Sequence, residues 1–408
     1  MSQKGKLIVN VRTKNGFKPI KYAKVKFFVT GNTGVAFEEL TTDESGSCEI
    51  DNLSTPPLEY SMEPSELQPY AEYTIQVQAE GYSDFVVSGI DVMPDEISLQ
   101  DVELREQDEK NNIWDIVIPV NTLYGDYPAK IPESEVKTVN ETGEIVLSRV
   151  VIPEYIVVHD GVPTDTTAKD YYVRYKDYIK NVASSEIYAT WPANTIRANI
   201  LAIMSFTLNR VYTEWYRGKG YNFTITSSTA FDHKFVYGRN IYQNISDIVN
   251  EVFENYLSRP NVKQPILTQY CDGQKVSCPN WMTQWGSKYL GDRGYSTIDI
   301  LRYYYGSDMY INTASGISGI PSSWPGYDLS LGATGEKVRV IQEQLSRISK
   351  TYPQVIEVTP DGIYGPRTKA SVEKFQSIFG LPVTGVVDYK TWYEISAIYV
   401  AITRIAEL

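Results

Sequence analysis

The chain has 408 residues, more than one ordinary domain holds, so its length predicts two or three domains that each bury a core. Its net charge of −12 argues against a nucleic acid or an anionic membrane surface as a partner. The start, MSQKGKLIVNVRTKNG, lacks the long apolar run of a signal peptide, and no later stretch has the roughly 20 apolar residues that span a bilayer. We therefore expect a protein that is made without a Sec signal peptide and has no membrane partner.

Residues 1–107 alternate short apolar segments with turns, as in KLIVNVRT, AKVKFFV and YTIQVQAEGY. Alternation with a period of two predicts strands, and several short strands separated by turns predict a β-sandwich. The segments TTDESGSCEI and YTIQVQAEGY resemble those of the transthyretin-like or carboxypeptidase-regulatory-like sandwiches. Such domains fold and dock, so we expect no catalysis here.

Residues 108–149 are polar and rich in turn-forming residues, and the charge run REQDEKNN leads into them. A stretch of this composition usually forms a solvated linker, and exposed linkers are where proteases reach the backbone. We interpret it as a polar linker or propeptide.

In residues 150–322 some apolar residues recur with the helical period of 3.6 and others with the strand period of two, which predicts an α+β domain. Apolar residues recur at helical spacing between Ile196 and Val211 and predict a buried helix. Segments such as YNFTITSS are typical of strands.

Residues 323–408 contain two related units, DGIYGPRTKASVEKFQ and TGVVDYKTWYEI, after a first predicted helix, VRVIQEQLSRI. Each unit has a Gly turn, a threonine that starts a helix, and a helix, so we predict a compact three-helix module. The motif comprises Gly335, Val338, Ile341, Gln342, Leu345, Asp361–Thr368, Phe375, Gln376 and Thr384–Trp392. This pattern resembles the type 1 peptidoglycan-binding domain, which implies peptidoglycan as a partner.

Ordered segments of the central domain carry a second resemblance. They are VASSE followed by WP, the long helix, TSST followed by DHKFVYGRN, YCDG, and CPNWMTQWGS leading to ILRYYYG. Together they resemble the SpoIID/SleC-like catalytic domain. The chain would then be multidomain, with an N-terminal β-sandwich, this central α+β catalytic domain and a C-terminal peptidoglycan-binding module.

The second resemblance implies a lytic transglycosylase that cleaves MurNAc-GlcNAc bonds to 1,6-anhydro products, with Glu186 as the catalytic residue. Hydrolytic glycosidases use two carboxyl groups, but a single one can protonate the glycosidic oxygen and then take the proton of the C6 hydroxyl. Small and apolar neighbours of Glu186 favour partial burial, which raises the pKa of a carboxyl group. The alternative is an exposed helix glutamate with no catalytic role.

Substrate contacts are predicted in two places. Trp281, Thr283, Gln284 and Trp285 are candidates to line a glycan groove, because indole rings stack on sugars and an amide bonds sugar hydroxyls. Packing of these aromatic residues against Tyr303–Tyr305 is the alternative. Asp232 and His233 either hold the acetamido group or cap a turn.

The order of the three domains resembles spore cortex-lytic enzymes that are stored as zymogens in the dormant spore, at the cortex or coat. The resemblance implies activation by a subtilisin-like germination protease near Ser148, Arg149 or Val150. The substrate would be the glycan strands of spore cortex peptidoglycan.

Cys271 and Cys278 are close enough in sequence to pair or to share a small loop, and we expect no cofactor and no metal. Two other functions stay open. One is a noncatalytic wall or spore-coat adaptor, and the other is an N-acetylmuramoyl-L-alanine amidase. Only two histidines are available for the zinc ligands that such an amidase uses.

Overall fold

The computed structural model describes residues 3–13, 19–107, 113–123, 128–131, 150–153, 155–213, 215–216, 219, 221, 223–262, 264–276, 278, 280–314, 325, 327–379 and 381–403. Three large hydrophobic cores follow one another along the chain. The protein is therefore multidomain and of mixed α/β structure. Within the described ranges, no helix combines the length and apolarity needed to cross a membrane.

Two sheets enclose the N-terminal core, and we call this region the sandwich. Its elements are β1 (Gln3–Thr13), β2 (Lys24–Val29), β3 (Glu38–Thr41), β4 (Ser47–Thr55), α1 (Glu59–Met62), β5 (Ala71–Gln78), β6 (Phe85–Val92), β7 (Ile97–Leu104) and β8 (Trp114–Val117). One sheet has the strand order β3-β2-β5-β6-β8, and the other has the order β7-β1-β4 with one further strand beside β7. Leu7, Val9 and Val11 of β1 are fully buried and alternate with more exposed residues, as the period of two predicts.

The structure differs from the linker interpretation of residues 108–149. Strand β8 pairs in parallel with β6 and so extends the sandwich past residue 107. Residues 121–123 and 128–131 then lie against the central domain, where Leu123 is 1% exposed. The polar composition did not reveal this because the apolar contacts depend on two single side chains. Ile118 packs in the sandwich core, and Leu123 packs in the central core.

The central domain surrounds one long helix that is buried on all sides. Its stripe of apolar residues was predicted, but Asn199, Ser205 and Asn209 are buried as well and bond neighbouring groups. The helices are α2 (Tyr175–Glu186), α3 (Ala193–Tyr212), α4 (Gln243–Val252), α5 (Gln284–Asp292) and α6 (Thr297–Tyr305). The strands are β9 (Tyr155–His159), β10 (Asp170–Arg174), β11 (Ile225–Thr226), β12 (Ile241–Tyr242), β13 (Asn255–Ser258), β14 (Tyr270–Cys271), β15 (Met282–Thr283) and β16 (Tyr310–Thr313).

Three helices form the C-terminal module, as the sequence predicts: α7 (Glu336–Thr351), α8 (Pro366–Ile378) and α9 (Tyr389–Thr403). The predicted core positions are confirmed, since Val338, Ile341, Leu345 and Phe375 are at most 1% exposed. Gly362 and Gly385 adopt positive φ, which accounts for glycine at the two turns.

Candidate active site and wall-binding module

Glu186 is the last residue of α2, and its side chain is buried with 2% exposure. The exposed-glutamate alternative is therefore wrong. One turn earlier, the Asn181 amide accepts a hydrogen bond from Val236 N and donates one to Val236 O. This double contact fixes the neighbouring segment, so that the backbone N–H of Lys234 donates to Glu186 Oε1 at 2.5 Å.

Gln284 contacts the other side of Glu186 from the first turn of α5. Its Nε2 donates to the backbone oxygen of Glu186 at 2.9 Å and lies 3.4 Å from Oε2. Gln284 is 3% exposed, so its amide has little contact with solvent. The Lys234 N–H and the Gln284 amide thus contact one carboxyl oxygen each, and the carboxyl group lies beside a small cavity.

The cavity beside Glu186 has a volume of about 20 Å³, which is room for about one water molecule. It is lined by Pro128, Lys130, Glu186, Thr229, Tyr270, Cys271, Asp272, Val276 and Gln284. A sugar ring does not fit in this space. The carboxyl group is thus enclosed in the structure, and the closure comes in part from residues 128–130.

Burial raises the pKa of Glu186 above its ordinary value, because an ionised carboxylate loses hydration in the closed site. The positive charge of Lys130 and the Lys234 N–H act in the opposite direction, but burial prevails. A carboxyl group with a raised pKa keeps its proton nearer to neutral pH, which suits a general acid.

Tyr270 and His233 form a layer under the carboxyl group. Their rings stack at 5.7 Å between centroids, and His233 Nδ1 lies 2.9 Å from the Tyr178 hydroxyl. The Tyr270 hydroxyl faces Glu186 closely enough to lower the pKa of the glutamate, yet it closes no hydrogen bond of regular geometry. Burial holds the pKa of His233 well below its usual value, so the imidazole is neutral.

Asp232 lies beside this layer with 0% exposure and is fully engaged by protein groups. Its Oδ1 accepts from Arg210 Nε at 2.8 Å, and Oδ2 accepts from the Tyr216 hydroxyl and from both the N–H and the hydroxyl of Thr226. These contacts occupy both carboxylate oxygens of Asp232, which therefore holds neighbouring protein groups in place. Neither Asp232 nor His233 lines the cavity, and their predicted contacts with substrate stay predictions.

The Trp281–Trp285 element contributes one residue, Gln284, to the cavity lining. Trp285 is buried and packs on Trp191 and Tyr188, with ring centroids 5.0 and 5.9 Å apart. Thr283 Oγ1 lies 3.3 Å from the Tyr304 hydroxyl, and Trp281 is half-buried outside the cavity. A role for Trp281, Thr283 and Trp285 in glycan binding stays a prediction.

A segment that sequence reasoning missed covers the site. We call residues 121–123 and 128–131 the covering segment. Asn121 Nδ2 donates to Ser185 O, Leu123 N donates to the Tyr188 hydroxyl, and Leu123 O accepts from Trp285 Nε1 at 2.9 Å. Lys130 Nζ donates to Asp232 O at 3.0 Å. No motif or period marked these residues, because all their partners are distant in sequence.

Of the predicted cleavage positions, Ser148 and Arg149 lie outside the described residues. Val150 is described, and its side chain is 6% exposed within the central core together with Val151 and Ile152. Its role at a cleavage site stays a prediction.

Cys271 and Cys278 form a disulfide, which resolves the two arrangements left open by their spacing. Cys271 lines the cavity, so the bond closes a loop at the site itself. Within the described ranges, no three His, Cys, Asp or Glu side chains group in a way that could hold a metal ion.

A larger cleft of about 1020 Å³ lies between the sandwich and the central domain. Trp114 and Arg105 line it from the sandwich, and Tyr171 and Tyr237, whose rings stack at 4.3 Å, line it from the other side. Glu186 does not line this cleft, which is therefore separate from the candidate active site.

In the C-terminal module, two buried glutamines explain the repeat seen in the sequence. Gln342 donates to Asp361, Ile363 O and Thr368 and accepts from Gly362 N. Gln376 makes the matching contacts in the second unit, with Thr384, Val386 O, Thr391 and Gly385 N. Each amide therefore joins a Gly turn to the threonine that begins or continues the next helix.

Residues 334–395 match the family described as "Putative peptidoglycan binding domain". The C-terminal module is a peptidoglycan-binding domain. The chain is also 38% identical over 73 residues to the zinc D-Ala-D-Ala carboxypeptidase of Streptomyces albus G, which covers 18% of this chain and 27% of that protein. The chain thus spans about a quarter of that curated relative's length.

Solved structures show local likeness only. The SleB N-terminal domain is 30% identical and aligns with 18% of this chain and 93% of its own, at a TM-score of 0.16. A point mutant of the Acinetobacter radioresistens catechol 1,2-dioxygenase is 14% identical over 26% of this chain and 53% of its own, at a TM-score of 0.18. TM-scores this low do not establish a shared fold. The assignment of the C-terminal module as a peptidoglycan-binding domain therefore rests on the family match.

Proposed function

We propose that this chain is a peptidoglycan lytic transglycosylase of the SpoIID/SleC type that cleaves spore cortex. The observation that carries the proposal is the buried carboxyl group of Glu186, which lines a small cavity in a chain that also has a peptidoglycan-binding domain. Its raised pKa and its fixed orientation are the two properties that a single acid/base residue needs.

In the proposed reaction Glu186 gives its proton to the glycosidic oxygen as the bond from that oxygen to C1 of MurNAc breaks. The oxygen leaves as the 4-hydroxyl of GlcNAc. The C6 hydroxyl of the same MurNAc then bonds to C1, and its proton passes to the Glu186 carboxylate, which restores the acid. The Lys234 N–H and the Gln284 amide hold the carboxylate while it is ionised.

We further propose that the protein is made as a zymogen and that the covering segment is its inhibitory element. Pro128 and Lys130 occupy space beside Glu186 that a sugar would need, and the Lys130 charge favours the ionised carboxylate, which cannot donate a proton. Cleavage near 148–150 by a subtilisin-like protease would free the C-terminal end of this segment. Localisation at the spore cortex or coat belongs to the same proposal.

The test is the chemistry of the products released from decoated spore cortex by the protease-treated protein. We expect muropeptides with 1,6-anhydro ends in mass spectra, and none from Glu186→Gln. Because an amide cannot donate or accept that proton, Glu186→Gln should lower the rate by roughly 10²–10⁴-fold.

Two outcomes would contradict the proposal. Free stem peptides with intact glycan would indicate an amidase, and binding to cortex without any release would indicate a noncatalytic adaptor. Binding of Glu186→Gln to cortex, measured by sedimentation, is the control that the peptidoglycan-binding domain is intact.

A further inference from the structure

Polar groups buried at the boundary between the sandwich and the central domain join the two tightly. The Asn240 amide accepts a hydrogen bond from Asp91 N at 3.1 Å and donates one to Asp91 O at 2.9 Å. Gln100 Nε2 donates to Gly238 O, and Trp191 Nε1 donates to Ser61 O. A polar group that stays buried but loses its partner costs about 1–3 kcal/mol, so partial loosening of this boundary is unfavourable.

Strand pairing and core packing also cross this boundary. Strand β12 of the central domain pairs antiparallel with β7 and completes the four-stranded sheet of the sandwich. Tyr70 and Met93 of the sandwich are each 2% exposed and belong to the central core, while Val236 of the central domain packs on the sandwich core. Exchange of core residues in both directions is characteristic of permanent interfaces.

The boundary reaches the candidate active site through Arg239. Its guanidinium donates to Asp91 Oδ2 and to the Ser185 hydroxyl, both at 3.1 Å, and both charged side chains are at most 4% exposed. Ser185 precedes Glu186 in the last turn of α2. Asp91 of the sandwich therefore supports, through Arg239, the turn that presents Glu186.

We infer that the sandwich is a permanent partner of the central domain and stays bound to it after the connecting segment is cut. The sandwich would then be a noncovalent subunit of the processed protein, and only the covering segment would leave its place. Asp91 and Arg239 act as positioning residues for the end of α2. The inference goes beyond the proposed function, because it holds whether or not Glu186 is catalytic.

The experiment uses the full chain with the recognition sequence of a site-specific protease inserted after residue 140. The folded protein is cut, and gel filtration is run in native buffer and in denaturant, with fragment masses identified in each peak. We expect both fragments in one peak at the elution volume of the uncut chain, and two peaks only in denaturant. Two separate peaks in native buffer would overturn the inference.

Asp91→Asn provides the matched variant and is compared with wild type at pH 8, because burial raises the pKa of Asp91 to about 7 and the carboxylate faces Arg239 above that pH. The variant removes this charge and keeps the backbone contacts of residue 91. Its uncut form serves to establish folding by circular dichroism. After cutting, we expect its fragments to separate at protein concentrations where wild-type fragments remain together, and Asp51→Asn, at an exposed sandwich acid, to behave as wild type. Equal retention in Asp91→Asn and wild type would show that the Asp91–Arg239 ion pair does not hold the fragments together.

Hydrogen exchange of the cut protein gives a readout that activity does not. Amides of residues 181–187 should exchange as slowly in the cut wild-type complex as in the uncut chain, and at least about tenfold faster in cut Asp91→Asn. Unchanged protection in Asp91→Asn would show that Asp91 does not support the end of α2. Failure to release anhydro products would refute the proposed reaction and leave these measurements unaffected.

Discussion

Lys130 and Glu186 line the same small cavity, although one comes from a polar stretch after the sandwich and the other from the end of a buried helix. The ammonium group of Lys130 lowers the pKa of Glu186 in opposition to the burial that raises it. A single side chain thus both lines the site and reduces the fraction of Glu186 that carries a proton. Substitutions of Lys130 can therefore test whether the covering segment inhibits the enzyme.

Lys130→Ala should partly activate the uncut protein. The substitution enlarges the cavity and removes a charge that favours ionised Glu186, so a larger fraction of Glu186 carries the proton that a general acid donates. We expect release of anhydro products from cortex to rise above that of uncut wild type. Lys130→Met keeps the bulk without the charge and separates the two effects. If uncut Lys130→Ala is as inactive as wild type while cut protein is active, the covering segment is not the block.

Glu186→Gln should stabilise the fold in a pH-dependent way. A carboxyl group whose pKa is higher in the folded chain binds its proton more tightly there than in the unfolded chain. Its contribution to stability is therefore lost as the pH rises from the unfolded pKa, about 4.3, through the raised folded pKa. Glutamine does not ionise, so Glu186→Gln does not lose stability in this way as the pH rises. We expect the unfolding midpoint of Glu186→Gln to exceed that of wild type at pH 7–8 and the difference to shrink toward pH 4.

The control for that comparison is Glu254→Gln, at an exposed glutamate. It reports the effect of removing one surface carboxylate. A difference between Glu186→Gln and wild type that stays constant from pH 4 to pH 8 would contradict the assignment of a buried, destabilised carboxylate.

Removal of the Cys271–Cys278 disulfide should lower stability by about 2–3 kcal/mol, the loop-closure value for a loop of this size. Urea unfolding of the double variant Cys271→Ser/Cys278→Ser measures the loss. Addition of a thiol reductant should bring wild type down to the variant and leave the variant unchanged. A reductant effect of equal size on both proteins would contradict a structural role for the bond.

Gln342→Ala should destabilise the peptidoglycan-binding domain by about 1–3 kcal/mol, because it leaves the buried N–H of Gly362 without its acceptor. Hydrogen exchange of residues 361–376 should become faster. Gln354→Ala, at an exposed position, is the matched control. Equal protection in the two variants would show that the Gln342 amide does not hold the turn.

How far the sequence predicts the structure depends on how local the deciding contacts are. The Gly turns and apolar spacing of the C-terminal module specify its helices within short windows, and the apolar stripe of α3 marks it as buried. Glu186 was predicted to be the catalytic residue from a family resemblance, and its small neighbours indicated that its side chain is buried. Asp232 and His233 were predicted to contact substrate or to cap a turn, and the sequence did not show that Arg210 and Tyr178 engage them.

By itself, then, the sequence determined the helical peptidoglycan-binding domain and the strands of the sandwich, and a family resemblance pointed to Glu186 as the acid. Only the tertiary structure decided what surrounds that acid: Lys130 beside it, Leu123 bonded to Trp285, and Asp91 supporting its helix through Arg239. Periodicity and turn residues act over a few positions of the chain, whereas these contacts join residues from separate domains. Burial and charge at Glu186 depend on that assembly.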